Sequence, residues 1–394
     1  MSRYDRLGLE SQIQHLGEEE HVLGAVTPPI FQTSLFVHED CSAFEKSFDA
    51  TGAERKPHNY SRISNPTLDM LERKLARMEH CEAGKVFGSG MAAISAAIMH
   101  CVESGSHVVA IDTCYGPTRM FLEEYLPKFG VTTTFVAGLC PEDVLDAIRP
   151  ETKAIYLESP GSILFRLQDL ETICSTARAK GIATIHDNSY SSPIFQNPAD
   201  FGVDIIVHSA SKYLGGHSDI VAGAMMTSQE RMDAIIQHEL ALLGGILAPF
   251  PAWLMLRGVR TLPIRMKAHQ EVGNFVANWL LDQPEVAQVF HPGLPTFPQR
   301  ELFTKQMRGS GGLLSFEPVD QDEAKIRAFA DALELYQLGV SWGGFESLCV
   351  PLTMHPIGWN ERRWVVRLFN GLETPTDLLA DLRQAFDRAG LAKR

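Results

Sequence analysis

The sequence has no CxxC pair, no Cys/His cluster at zinc-finger spacing and no regular cysteine framework; its seven cysteines are scattered. That argues against a disulfide scaffold and a structural metal, and points to free thiols in a reducing compartment, the cytoplasm. Positive charge is scarce too: 35 Lys and Arg against 48 Asp and Glu leave a net charge of −13. Such a balance argues against a nucleic-acid partner or an anionic membrane surface, though not against a local anion pocket. The opening MSRYDRLGLESQIQ carries no apolar core of a secretory signal. The one charge-free apolar run, LALLGGILAPFPAWLML at residues 240–256, is interrupted by Gly244, Gly245, Pro249 and Pro251. It reads as a buried or subunit-contact segment rather than a membrane span. Internal repeats and low-complexity tracts are absent as well.

What is present is ordinary globular material, 45% hydrophobic and 21% charged, over 394 residues, a length that suits two to three domains. Residues 1–60 read as an irregular arm reaching a neighbouring subunit. The stretches HVVAIDT (107–113), KAIYLES (153–159), IATIHD (182–187) and VDIIVHS (203–209) are β-branched, nearly continuous apolar runs, the pattern of buried strands. Between them LQDLETICSTARAKG places Leu167, Leu170, Ile173, Cys174 and Ala177 on one helical face and stops at Gly181. Strand–helix alternation with both faces buried gives an α/β large domain with a mostly parallel sheet, over 61–256. A smaller α+β domain follows over 257–394, with strands at GGLLSFE and WVVRLF, a charged helix from about 321 to 334, and a last helix opened by TPTD. There Thr374 is expected to cap, with Asp377 completing a capping box.

In an open α/β sheet, ligands lie beyond the carboxyl ends of the strands. Four strand ends deliver polar groups there: Tyr115, Glu158 to Ser162, Asp187–Asn188, and Ser209 to Lys212. GSGMAAI (88–94) adds a small-residue turn before a helix, where backbone N–H groups can approach a phosphate. It nearly matches a dinucleotide fingerprint, with Ala93 in the last glycine's place and Asp112 at about 20 residues' remove. A nicotinamide dehydrogenase is therefore a competing reading, but it leaves Lys212, Asp187 and the serines without a task. A lysine held in a cleft loses protons more readily and condenses with carbonyl groups. With a phosphate cradle and an aspartate beside it, the sum is a pyridoxal 5′-phosphate (PLP) site, the aspartate keeping the pyridine nitrogen protonated.

The sequence resembles the cystathionine lyase/synthase group of Cys/Met-metabolism enzymes. NYSRISNPT (59–67), GSGMAAI, YGPT (115–118), ESPGS (158–162), DNSY (187–190), SASKYLGGHSD (209–219) and VRLFNGLE (366–373) fall in that family's order. The resemblance implies the fold of fold-type I PLP enzymes. It further implies that Lys212 holds the cofactor and shuttles protons, that Asp187 pairs with the pyridine nitrogen, and that Tyr115 stacks on the ring and acts as general acid. Gly90, Met91, Ser209 and Ser211 would bind the phosphate. Tyr60 and Arg62 would reach the neighbouring subunit's cofactor, making a dimer the minimum active unit within a homotetramer. Arg367 would clamp the substrate carboxylate, with Ser341, Ser162 and Tyr60 around it.

Within the family, ESPGS and SWGGFESL (341–348) are similar to bacterial cystathionine β-lyases. Ser162 stands where γ-lyases usually carry asparagine. Val340 instead resembles methionine γ-lyases, while Ala241 stands where the β-lyases carry a second substrate-side tyrosine and Pro117 where methionine γ-lyases carry a reactive cysteine. The expectation is a lyase eliminating the side-chain substituent of a sulfur-containing amino acid, β-lyase-like. The alternative is a γ-lyase on methionine, homocysteine or a non-protein amino acid such as canavanine.

Overall fold

The computed structural model describes residues 4, 6–19, 21–49 and 58–394. Its centre is a seven-stranded sheet in the order β1-β7-β6-β5-β4-β2-β3. The strands are β1 (Ala83–Phe87), β2 (His107–Ile111), β3 (Thr132–Val136), β4 (Thr152–Leu157), β5 (Ala183–Asp187), β6 (Ile205–Ser209) and β7 (Gly223–Thr227). β3, β2, β4, β5 and β6 run parallel, while β7 is antiparallel to both β6 and β1. The four apolar runs form β2, β4, β5 and β6, whose residues are almost all buried because helices cover both faces. Sequence reading missed β1, β3 and β7. GAMMT and AGKVF have little β-propensity of their own; pairing along their whole length holds them in the sheet.

The amphipathic helix forms over Leu170–Ala179, with Asp169 accepting the Thr172 N–H at its start and Gly181 at φ +68° beyond its end. The 240–256 run is broken at Gly244, which takes the left-handed conformation, and resumes as the helix Pro249–Arg260. Among the described residues no helix is long and apolar enough to cross a membrane.

A 20-residue helix, Leu262–Leu281, leads to a second sheet of order β10-β11-β12-β9-β8. Its strands are β8 (Val286–Phe290), β9 (Leu313–Pro318), β10 (Gln337–Leu338), β11 (Leu348–Met354) and β12 (Arg363–Phe369). The helices Glu323–Ala332 and Pro375–Ala389 cover it, with Phe329 stacked on Phe386 at 4.6 Å. The expected capping box at Thr374 is not made: its side chain caps nothing, and only its carbonyl accepts the Asp377 N–H. The arm is less irregular than its sequence suggests, since Leu9–His15 and Cys41–Asp49 are helical. The first of these is tied down by Lys74, which reaches the Ile13 carbonyl and Glu18 from a fully buried position.

Candidate active site

The strand order β6-β5-β4-β2 decides what meets at the carboxyl edge. It lays the Ser209–Lys212 turn, Asp187, Glu158 and Tyr115 side by side in that sequence. The same order removes the dinucleotide reading: β1 and β2 would have to be parallel neighbours, but β7, β6, β5 and β4 stand between them. Asp112 is engaged elsewhere, by Arg166 at 3.4 Å and the Ile357 N–H.

Lys212 follows β6 on a tight turn whose Gly216 sits at φ +73°. A Cβ at Gly216 would lie 2.1 Å from the Arg265 guanidinium, which pins the turn by donating to the Tyr213 carbonyl at 2.8 Å. Lys212 Nζ donates to Ser341 Oγ at 2.7 Å and lies 5.6 Å from the centre of the Trp342 ring. Burial, and then the Arg367 charge, lower the lysine to about 8; Asp187 opposes them. Arg367, on β12, donates to the Val340 carbonyl at 2.7 Å, and burial pulls its guanidinium down to about 10, still cationic at neutral pH. A lysine amine lowered to about 8 and a cationic guanidinium thus converge on the adjacent residues Ser341 and Val340.

Asp187 is buried at the end of β5. Burial pushes its carboxyl up, against the Ser189 N–H bonded at 2.9 Å and the charge of His208. The Tyr156 hydroxyl lies 3.5 Å from its other oxygen. Tyr115 is half-exposed, and its backbone N–H donates to Glu158 at 2.8 Å. Burial, Asp187 and Glu158 raise the Tyr115 phenol, with Arg367 pulling the other way, so it keeps its proton at neutral pH. Glu158 itself is pushed up to about 8 by burial and by Asp187, against bonds from Tyr115 and Ser162.

The place expected to cradle a phosphate is the start of the helix Gly90–Cys101, whose first turn is capped by Ser89 on the Ala92 N–H. The Gly90 and Met91 amides are the first of that helix and have no acceptor within it. A Cβ on Gly90 would sit 2.9 Å from Ser209 Cα and Cβ, so only glycine lets the helix end and Ser209 face one small space. The Ser211 hydroxyl donates to the Ala222 carbonyl at 3.3 Å and accepts the Ala222 N–H at 3.0 Å. Ser162 stands beside Glu158. Tyr60 is half-exposed at the arm, and Arg62 bonds the Ala241 carbonyl of its own chain. Tyr156 and Ser189 were not singled out from sequence; Glu158 was, as a polar residue at a strand end and the first of ESPGS, but without a role.

These residues fit PLP. A helix-end cradle suits a dianionic phosphate, and a buried carboxylate whose charge burial disfavours is stabilised by a pyridinium beside it. A partly deprotonated lysine meets the aldehyde.

A family model described as Cys/Met metabolism PLP-dependent enzyme matches residues 10–387. The L-methionine gamma-lyase of Porphyromonas gingivalis is 38% identical over 393 residues, 97% of this chain and 98% of that one. The cystathionine beta-lyase of Lactococcus lactis subsp. cremoris is 34% identical over 390 residues, 96% of this chain and 99% of that one. The crystal structure of cystathionine gamma-lyase from Lactobacillus plantarum complexed with L-serine superposes with a TM-score of 0.88 at 34% identity, covering 98% of this chain and all of that one. A seven-motif order in the sequence, a strand-edge site built for PLP and a match along nearly the whole length lead to one conclusion: the chain belongs to the Cys/Met metabolism family of PLP-dependent enzymes.

Proposed function

We propose that this enzyme is a carbon–sulfur lyase that eliminates the side-chain substituent of a sulfur-containing α-amino acid, in the manner of a cystathionine β-lyase. The observation that carries the reading is the convergence of Lys212 and Arg367 on Ser341 and Val340, at 2.7 Å each. Bound PLP supplies an electron sink for the negative charge that develops at Cα. Arg367 clamps the substrate carboxylate through its planar fork and so fixes which face of Cα looks at Lys212. Lys212, with its amine held near 8, removes the Cα proton, and Ser341 directs its Nζ. Asp187 would pair with the cofactor's ring nitrogen and keep a proton there. The Tyr115 phenol, still protonated at neutral pH, donates to the departing sulfur.

A second reading, γ-elimination, is favoured by Val340, which is 83% exposed and offers no acid or base to the distal end of a substrate. It is favoured also by the greater identity to the methionine γ-lyase than to the β-lyase, 38% against 34%. Product identification separates the two. β-Elimination of cystathionine gives pyruvate and ammonia, whereas γ-elimination of methionine or canavanine gives a four-carbon keto acid. A four-carbon product alone from every candidate refutes the β reading.

We also infer that the working unit is at least a dimer, within a homotetramer. The arm exposes Leu23, Val26, Val37 and Phe48, which no monomer gains by leaving in water, and Tyr60 ends that arm with Arg62 just beyond it. All seven cysteines are free thiols, in keeping with a cytoplasmic setting.

A further inference from the structure

Behind the site lies a carboxylate that the mechanism above does not use. Glu79 follows the helix Pro66–Met78 and is completely buried. Its Oε1 accepts from His208 Nε2 at 2.6 Å and from Asn188 Nδ2 at 2.8 Å. Its Oε2 is buried with no hydrogen-bond partner. A buried carboxylate left half-satisfied is expensive, so its placement needs a reason.

The chain positions of the two donors supply one. Asn188 directly follows Asp187, and His208 directly precedes Ser209. Neighbouring residues on extended chain face opposite sides of a sheet, so Asp187 and Ser209 look towards the cofactor while Asn188 and His208 look away from it. The β5–β6 ladder ends at the pair Asp187↔Val207. Beyond that pair the two strand ends are joined by the Asn188 N–H to the Val207 carbonyl, by the Ser209 N–H to Ser189 Oγ at 2.6 Å, and by Glu79 from behind.

We infer that Glu79 is a positioning residue for the cofactor: by holding His208 and Asn188 with one oxygen, it sets the spacing between Asp187, at the ring nitrogen, and Ser209, at the phosphate. This rests on the PLP reading of the site. His208 also acts electrostatically, opposing with Ser189 the upward push of burial on the Asp187 carboxyl. The pair Glu72–Lys85, also buried, at 2.9 Å, joins the helix Pro66–Met78 to the edge strand β1 and provides a matched control away from the ends of β5 and β6.

The test titrates the cofactor-free full chain with PLP, following the visible band and its pH dependence. Glu79→Gln keeps an oxygen for both donors but weakens two charge-assisted bonds, and His208→Phe removes one of them. Each is expected to raise the PLP Kd about tenfold or more and to move the pH midpoint of the band. Glu72→Gln is expected to lower the melting temperature yet leave the Kd within about twofold. The inference is overturned if both site-side variants bind PLP as the unmodified chain does. It is overturned equally if Glu72→Gln weakens binding as much as Glu79→Gln does. An unmodified chain that takes up no PLP overturns the cofactor reading together with this one, whereas uptake that Glu79→Gln leaves unchanged overturns this inference alone.

Discussion

Replacing Lys212 by methionine should stabilise the cofactor-free protein, because its amine is held where a charged one is unwelcome. Burial and Arg367 lower the lysine from 10.5 to about 8. At about 1.4 kcal/mol per pH unit, that is a penalty of about 3 kcal/mol on the protonated form in the folded state. The side chain is only partly buried, and methionine loses the bond to Ser341, so the net gain should be about 1–2 kcal/mol. At about 2.1 cal/mol/K per residue the melting entropy of a 394-residue chain is about 0.8 kcal/mol/K, which converts the gain to about 1–3 °C. The sign with pH follows from proton counting. Between about 8 and 10.5 the unfolded lysine keeps its proton while the folded one releases it, so the unmodified chain gains stability as pH rises. Below that window its penalty is fully present. Melting of both cofactor-free proteins at equal concentration across this range is the assay. The advantage of Lys212→Met should be largest at neutral pH and shrink through the window. A difference that is absent, or that stays constant with pH, refutes the argument.

Arg367→Lys, which keeps the charge but loses the planar fork, should raise KM about 10–100-fold with a smaller change in kcat, as steady-state kinetics will show. Asp187→Asn would remove the proposed acidic partner of the ring nitrogen; breaking a buried pair costs about 3–5 kcal/mol, so kcat/KM should fall by about two to four orders of magnitude and PLP should dissociate more readily on dialysis. Gly90→Ala puts a Cβ 2.9 Å from Ser209, so PLP affinity should drop while the cofactor-free protein melts within a few degrees of the unmodified one.

The legible part of the fold was the part whose strands are buried on both faces. β2, β4, β5 and β6 announce themselves as apolar runs, and because they are parallel, their carboxyl ends also announce the site. β7 could not be read so, since Gly223 and Ala224 are small for packing reasons: a Cβ at Gly223 would meet the Ser89 carbonyl at 2.1 Å. Its antiparallel insertion is a tertiary decision. Lys212, Asp187 and Tyr115 were visible as polar residues where strands stop, and the structure brings them to one edge with Arg367, from a different sheet, electrostatically coupled to Lys212. Glu79 was not visible, because a glutamate just past a helix looks like any solvated helix end; only the fold turns it inward. The dinucleotide reading failed on topology, which a local motif does not contain.

The central claim is that Lys212 carries PLP as its covalent partner. Incubation of the purified chain with PLP, borohydride reduction and peptide mapping tests it most directly. The account predicts a visible band that reduction abolishes and a pyridoxyl phosphate mass on the peptide containing Lys212. Label on another lysine, or no label with PLP in excess, contradicts it.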